Sequence, residues 1–225
     1  EVRRGVFVST SGVSAVGAEP VEFDESAPYA QDVVWEWPYY VSKIYAEKLA
    51  LWYCRHRQLD VTIVNPSLLL GPGDDRRSST RDVEAFLDGQ IHLIPGGGLN
   101  LADVRDVARG CVQAMEKGRT GERYLLGGAN MTFHEWIRRA ARLSGVRAPK
   151  FMAPLWVART GAAILRRLAP VFGKRYEMDD ASIRMSALYW YCSSEKARRE
   201  LGYSARDPDV TLRDTIEYLR ASARR

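Results

Sequence analysis

Blocks of apolar residues separated by polar ones predict two strands and one long helix in the first part of the chain. The apolar run at residues 5–8 ends in the hydroxyl residues 9–11 and a glycine, which predicts a buried strand that opens into a polar loop. Apolar residues recur at helical spacing from 39 to about 57, and residues 60–67 form a second apolar run. A strand, a loop, a helix and a strand in this order indicate a parallel crossover unit.

The rest of the chain predicts shorter elements and loops around this unit. Residues 18–38 are expected to form a long loop over the carboxyl end of the first strand, and residues 67–97 are expected to leave the sheet. A return segment and a helix are predicted over 100–116, with Asp103 or Asp106 near the helix start, and a strand is predicted over 121–128. A helix over 133–143 follows, which Thr132 caps and Gly145 ends. The last predicted elements are a helix over 194–202 that ends at Gly202 and a final helix from Thr211.

A tyrosine and a lysine at the start of the long helix form the most informative pair in the sequence. Tyr39 and Lys43 are four residues apart, so they lie on one helix face about one turn apart. A nearby ammonium favours the phenolate, so we expect the pKa of Tyr39 to fall from its usual value of about 10 toward neutral pH. Such a phenol can pass a proton to or from a carbonyl or an alcohol. Tyr40 is only three residues from Lys43, and we assign it to packing.

Composition and charge argue against several other classes of protein. The excess of Lys and Arg (33) over Asp and Glu (28) is spread along the chain, and no basic stretch interleaved with aromatic residues indicates nucleic-acid binding. The cysteines at 54, 111 and 192 and the scattered histidines lack metal-ligand spacing. We therefore predict no metal site and a reducing, cytoplasmic compartment.

One apolar stretch over residues 154–172 predicts an amphipathic helix. It is interrupted by arginines, so it is too short and too charged to span a bilayer. The simplest interpretation is a core helix. The alternative is a face that contacts a membrane surface or an apolar substrate.

Several motifs, taken in order, resemble those of the extended short-chain dehydrogenase/reductases, also called NAD-dependent epimerase/dehydratases. The similarity is carried by Ser-Thr-Ser at 9–11, Tyr-x-x-x-Lys at 39–43, Asn-Pro-Ser at 65–67 with Gly-Pro-Gly-Asp at 71–74, and the segments 100–108, 121–128 and 194–203. These segments look most like the branch that holds dihydroflavonol-4-reductase-like proteins and hopanoid-associated sugar epimerases.

The resemblance implies an α/β fold with an incomplete Rossmann-type parallel sheet and a smaller mixed α/β substrate lobe. Residues 1–66 and 98–128 would form the carboxyl-terminal part of the dinucleotide-binding domain. Residues 67–97 and 129–225 would form mainly the substrate-binding lobe.

The family's glycine-rich phosphate loop has no counterpart in this sequence. Its only glycine run, Gly96-Gly97-Gly98, follows an apolar pair and a proline, and it predicts a β-turn. We therefore expect the chain to match the carboxyl-terminal part of such a protein, with a bare outer edge on the first strand. On this expectation the intact parent is an enzyme, and residues 1–225 by themselves are inactive.

The resemblance also implies a cofactor, NAD or NADP, and a hydride transfer between the nicotinamide and a substrate carbon. Tyr39 would be the acid/base, and Lys43 would tune it and bind the ribose hydroxyls. Counting from the strand, the hydroxyl that polarises the substrate oxygen is Ser11, our first choice, whereas counting back from Gly17 lands on Gly12. Thr10 is the second choice and Ser14 the third. The residues implied to contact the cofactor are Ser9, Thr10, Tyr39, Lys43, Asn65, Pro66 and Ser67.

The substrate and the partners stay open between alternatives. Arg76, Arg77 and Arg81 suit the diphosphate of a sugar nucleotide, whereas the apolar stretch 154–172 favours a flavonoid-like, steroid-like or hopanoid-linked molecule. The aromatic residues Trp35, Trp37, Trp190 and Tyr191 either line a substrate pocket or belong to the core. A homodimer through the helix over 39–57, with Ile44, Leu51 and Trp52 in the contact, is expected. The rival hypothesis is a scaffold that has kept the fold and lost the chemistry.

Overall fold

The computed structural model of this chain describes residues 4–149, 151–152 and 180–223. The amphipathic helix predicted over 154–172 lies outside these residues. The described elements are β1 (Gly5–Val8), a 3-10 turn (Ser11–Val13), α1 (Gln31–Val34), α2 (Pro38–Arg57), β2 (Val61–Pro66), β3 (Leu68–Leu70), α3 (Arg81–Leu87), β4 (Leu93–Ile94), β5 (Gly98–Asp103), α4 (Val104–Lys117), β6 (Arg123–Leu126), β7 (Ala129–Thr132), α5 (Phe133–Ser144), β8 (Phe151–Met152), α6 (Asp180–Met185), β9 (Tyr189–Trp190), α7 (Glu195–Leu201) and α8 (Pro208–Ser222).

The first sheet is parallel and has the strand order β1-β2-β6. Its central strand, β2, is buried from Thr62 onward, because side chains alternate between two covered faces. Val64 packs with Val107 of α4 and with Tyr124 on one face. Asn65, on the other face, contacts Glu47 of α2. The parallel crossover unit predicted from the sequence is therefore confirmed, and the sheet is of the Rossmann type.

The outer edge of β1 has no strand beside it within the described part of the chain. Its first three residues are half-buried, and Val8 at its end is exposed. This matches the bare edge that the sequence led us to expect, since a strand with one partner leaves a row of backbone groups unpaired.

The second sheet contains β3, β5, β7 and β9. β5 pairs in parallel with β3 and β9 and antiparallel with β7, and β4 pairs with β8 separately. The predicted division gave residues 98–128 to the dinucleotide-binding part. Helix α4 and strand β6 do pack with the first sheet, whereas β5 lies in the second. The sequence analysis predicted only a return segment before the helix, because the sequence contains no information on which strand this segment pairs with.

The glycines before β5 allow a close approach of two chain segments rather than forming a simple turn. Gly97 N donates to Ser186 O at 3.1 Å, and Gly98 N donates to Leu188 O at 3.0 Å. A side chain at Gly97 would overlap the carbonyl of Leu188, so only glycine fits. The run 96–98 therefore joins the segment between α6 and β9 to the second sheet.

The helix ends follow the capping residues in the sequence. Thr132 and Glu135 form a capping box at α5, and Gly145 ends that helix with a φ of 77°. Gly202 ends α7 in the same way. The last helix differs from the prediction, since it begins at Pro208 rather than at Thr211. Proline is favourable in the first turn, and Asp207 caps the helix.

Two buried carboxylates at the start of α4 join the two sheets. Asp103 caps the helix by accepting from Arg105 N at 2.8 Å, and it also accepts from Thr211 Oγ1 at 3.0 Å. Asp106 accepts from the backbone of Arg206 at 2.8 Å and from its guanidinium at 2.7 Å. The chain leading into α8 is thereby fixed to α4.

Replacing Asp106 should destabilise the protein at neutral pH and much less in acid. Burial by itself raises the pKa of Asp106, but the hydrogen bonds from Arg206 outweigh it, so the pKa lies below the ordinary 3.8. Because the folded pKa is depressed, the stability that this carboxylate contributes is present above the unfolded pKa and lost as the pH falls through the folded one. We expect Asp106→Asn to lower the free energy of unfolding by about 2–3 kcal/mol at pH ~7, as measured by urea unfolding.

The control is Glu19→Gln, which removes a carboxylate from an exposed loop position. It should change the free energy of unfolding by no more than about 0.5 kcal/mol. Equal effects of the two variants, or an Asp106→Asn effect that persists unchanged in acid, would contradict the structural role given to Asp106.

Candidate active site

The predicted catalytic residues meet where β1 ends and α2 begins. Pro38 occupies the first helical position of α2, so Tyr39 and Lys43 lie on its first two turns. The Lys43 ammonium donates to Val8 O at 3.1 Å and lies 6.0 Å from the centre of the Tyr39 ring. The structure therefore brings Tyr39, Lys43 and the carboxyl end of β1 together.

The pKa of Tyr39 is raised, so the predicted lowering is wrong in this structure. Partial burial raises the pKa, and a hydrogen bond with the Thr10 side chain opposes the rise without cancelling it. The physical reason is the position of Lys43, whose ammonium is bound to the Val8 carbonyl rather than to the phenol oxygen. Tyr39 is consequently a protonated phenol at neutral pH, with more than half of its surface exposed.

Among the three hydroxyl candidates, Thr10 is the one whose side chain acts to lower the pKa of Tyr39. Ser11, the first choice from the sequence, is buried in the 3-10 turn. Ser14, which directly follows the turn, is buried as well. The chain turns directly after Thr10, whose side chain accepts from Gly12 N at 3.4 Å. A turn of this kind changes the direction of successive side chains, which the count from the strand did not include.

Tyr40 packs the 3-10 turn against α2, which confirms the packing role predicted for it. Its ring stacks on Trp190 at 5.0 Å and meets Trp37 edge to face at 6.5 Å. A methyl group at Gly12 would overlap the Tyr40 ring, so glycine is required there. Burial raises the pKa of Tyr40 to about 12, which keeps its hydroxyl neutral.

The other aromatic candidates divide between the core and the surface. Trp37 and Trp190 belong to the core cluster under the turn, whereas Trp35 is two-thirds exposed. Tyr191 meets Tyr189 edge to face at 5.4 Å and covers Gly98.

Three polar side-chain atoms near the carboxyl ends of β1 and β2 lack hydrogen-bond partners within the described residues. They are Ser9 Oγ, Asn65 Oδ1 and Ser67 Oγ, and each is buried. A buried polar atom without a partner costs about 1–3 kcal/mol, so such atoms are typical of a site that a polar ligand completes. The amide of a nicotinamide ring has both donors and an acceptor for them. These residues therefore fit the cofactor end that the sequence assigned to them, with Pro66 between the last two.

An open cleft of about 210 Å³ is formed by the end of β3, the loop that follows it and the first residue of α4. Its wall includes Asp74, whose carboxylate accepts from Ser79 N at 2.9 Å and Thr80 N at 3.0 Å. Of the arginines predicted to anchor a diphosphate, Arg77 forms an ion pair with Glu84.

One buried group next to the site was missed from the sequence. Glu47 follows Lys43 by four residues, is fully buried, and bonds Asn65. The sequence does contain one signal, which is the position of Glu47 on the inward face of the helix. A carboxylate there is rare unless it has a partner.

The family model described as NAD dependent epimerase/dehydratase family matches residues 1–127. The chain belongs to this family. NAD or NADP is accordingly its cofactor, in agreement with the fit at β1 and β2.

Curated relatives and solved structures extend the match over nearly the whole chain. A protein of Synechocystis sp. named for dihydroflavonol 4-reductase is 32% identical over 224 residues, covering 96% of this chain and 64% of that protein. Sterol demethylase protein B of Methylococcus capsulatus is 32% identical over 170 residues, covering 73% of this chain and 51% of that protein. The structure of a nucleoside-diphosphate-sugar epimerase from Pseudomonas aeruginosa superposes with a TM-score of 0.79 at 28% identity, covering 98% of this chain and 68% of that one. This family member thus spans less than two thirds of the length of both curated relatives.

The described residues contain no group of three or more His, Cys, Asp or Glu that could hold a metal ion. A search of the same residues finds no helix long and apolar enough to cross a membrane.

Removing the Thr10 hydroxyl should raise the pKa of Tyr39 further. The hydrogen bond with Thr10 favours the phenolate, so its loss in Thr10→Val should shift the pKa upward by about 0.5 unit or more. The shift is measured by NMR of ¹³Cζ-labelled tyrosine, with Tyr39→Phe to assign the signal.

The matched control is Ser42→Ala, which removes a neighbouring hydroxyl that donates to the Tyr39 backbone carbonyl at 2.7 Å. We expect it to leave the Tyr39 titration unchanged. An unchanged or lowered pKa in Thr10→Val would show that the Thr10 hydroxyl does not act on the phenol.

Proposed function

We propose that this chain carries the catalytic centre of an NAD(P)-dependent oxidoreductase or epimerase. A hydride moves between the cofactor and a carbonyl or alcohol carbon of a small-molecule substrate, and Tyr39 handles the proton on the oxygen. The observation that carries the proposal is the position of Tyr39 and Lys43 at the carboxyl end of β1, where the Lys43 ammonium donates to Val8 O at 3.1 Å and lies 6.0 Å from the centre of the Tyr39 ring. Ligands bind at this end of the strands in open α/β sheets.

The raised pKa of Tyr39 suits the reducing direction. The bound cofactor supplies the hydride, which adds to the carbonyl carbon. The Tyr39 phenol gives its proton to the carbonyl oxygen, and an alcohol is formed. In the oxidising direction the phenolate oxygen of Tyr39 takes the proton back from the alcohol. This step requires neighbouring groups that stabilise the phenolate.

Two other side chains support that proton transfer in the proposal. The Thr10 side chain acts to lower the pKa of Tyr39 and so favours the phenolate. Ser11 is proposed as the hydroxyl that polarises the substrate oxygen, with Thr10 as the alternative. Lys43 is proposed to bind the ribose hydroxyls. Its ammonium now donates to the carbonyl of Val8, which is an exposed residue. Lys43 can therefore turn toward a ribose without breaking a buried ion pair. Ser9, Asn65, Pro66 and Ser67 are proposed to hold the nicotinamide amide.

For the substrate we propose an apolar, ring-containing carbonyl or alcohol compound. The names of three relatives support this choice, since they refer to a dihydroflavonol, a sterol and a farnesyl dihydroquinoline oxide, the last in a ketoreductase of Stigmatella aurantiaca at 27% identity. A sugar nucleotide is the alternative, which the Pseudomonas aeruginosa epimerase supports at 28% identity. The division into a cofactor part over residues 1–66 and 98–128 and a substrate lobe over 67–97 and 129–225 is also part of the proposal, with β5 moved to the substrate lobe because it pairs in the second sheet.

A homodimer through α2 and a cytoplasmic location complete the proposal. The outward face of α2 carries Tyr45, Leu49 and Trp52, all more than two-fifths exposed, which suits a helix-to-helix contact. Ile44, which the sequence analysis placed in that contact, is buried in the core under the turn, so it does not belong to the outward face.

Replacing Tyr39 with phenylalanine should remove the reaction and keep the cofactor. In the full product of the gene, Tyr39→Phe should lower kcat by about 10²–10⁴-fold, because the proton donor is lost. Binding of NAD and NADP, measured by calorimetry, should change little. Turnover is followed by the absorbance of the reduced nicotinamide with a panel of ring-containing ketones and sugar nucleotides.

The matched control is Tyr40→Phe, which removes the neighbouring buried hydroxyl and keeps the stacked ring. We expect wild-type turnover from it. Tyr39→Phe with undiminished turnover would overturn the role of Tyr39, and a gene product that binds neither cofactor would overturn the enzyme and favour the scaffold hypothesis. Residues 1–225 alone are expected to show no turnover.

A further inference from the structure

Glu47 is a fully buried carboxylate that the proposed reaction does not use. It lies on α2 one turn after Lys43 and two turns after Tyr39, on the face turned toward β2. Burying a charge is costly unless it is paired and hydrogen-bonded, so its position calls for a specific set of partners.

The Glu47 carboxylate and the Thr10 backbone share one amide group. Asn65 Nδ2 donates to Glu47 Oε1 at 2.5 Å and to the Thr10 carbonyl at 3.1 Å. Both partners are acceptors, so the amino group of Asn65 must face them, and its carbonyl oxygen must face away. The orientation of the buried Asn65 side chain is therefore set by Glu47 and Thr10 together.

This orientation leaves Asn65 Oδ1 without a donor among the described residues. An unpaired buried acceptor favours any rotation that would satisfy it. Glu47 opposes that rotation, because turning the amide over would place its oxygen against the carboxylate. Without Glu47, the Thr10 carbonyl would be the only partner holding the amide in place.

We propose that Glu47 is a positioning residue that acts on Tyr39 through Asn65 and Thr10. The carboxylate holds the Asn65 amide, the amide holds the Thr10 carbonyl, and the fixed Thr10 backbone sets its hydroxyl against the Tyr39 phenol. The proposal deepens the proposed function, since it rests on Tyr39 and Thr10 acting together at the site.

The second oxygen of Glu47 faces the loop that runs over the site. Arg123 lies 3.9 Å from Oε2, and its guanidinium donates to the carbonyls of Glu25 at 2.7 Å and Ala27 at 3.1 Å. The same guanidinium lies 5.0 Å from the centre of the Tyr29 ring. A positive charge anchored to the loop thus lies on the side of the carboxylate opposite Asn65, although Oε2 itself accepts no hydrogen bond among the described residues.

The test is a double-mutant cycle on the pKa of Tyr39, read by NMR of ¹³Cζ-labelled tyrosine. Glu47→Leu should raise this pKa by about 0.5 unit, the shift expected for Thr10→Val, because both lose the same hydrogen bond to the phenol. In the Thr10→Val background, Glu47→Leu should add no further shift. Glu47→Gln should stay near the wild-type value, because its amide oxygen still accepts from Asn65.

Three results would overturn the proposal: an unchanged pKa in Glu47→Leu, additive shifts in the double variant, or a Glu47→Gln shift as large as that of Glu47→Leu. Ile63→Val, at a fully buried position of β2, is the control for lost packing and should lower stability without moving the pKa. Should Glu47→Leu fail to fold, Asn65→Ala removes the same link from the strand side and carries the same expectation. Turnover plays no part in this readout, so failure of the reaction assigned to Tyr39 is detected separately by the Tyr39→Phe assay.

Discussion

The parallel pairing of β1 with β2 is the constraint on which the site depends. Val8 lies opposite Val64, so both strands reach their carboxyl ends at the same edge. Two parallel neighbours need a crossover, and α2 supplies it. The crossover returns Tyr39 and Lys43 to the edge where Thr10 and Asn65 emerge. A change of register by one residue would turn Asn65 away from Glu47 and toward α4.

Around this edge, backbone groups and side chains are held by a small set of shared partners. Asn65 connects the end of β2 with the turn after β1, and Lys43 connects α2 with the end of β1. Tyr40 fills the space that Gly12 leaves open. The Tyr39 phenol therefore lies beside a closely packed turn, while its own ring is more than half exposed.

The two sheets are joined by polar contacts rather than by a shared strand. Asp103 ends β5 in the second sheet and caps α4, which packs on the first. Asp106 then fixes the chain before α8. These ionic contacts give the second sheet and α8 a defined position relative to α4, and they depend on the carboxylates staying ionised.

The sequence by itself determined the elements whose signals are local. Thr132, Gly145 and Gly202 set helix ends through hydrogen bonds within one turn, and the spacing of Tyr39 and Lys43 set their common helix face. Only the tertiary structure decided that Ser11 is buried in the 3-10 turn, that β5 pairs in the second sheet, and that Glu47 is buried. It also reversed the expected direction of the Tyr39 pKa. Each of these depends on burial and on contacts between segments far apart in the chain, and spacing along one segment carries no information about either.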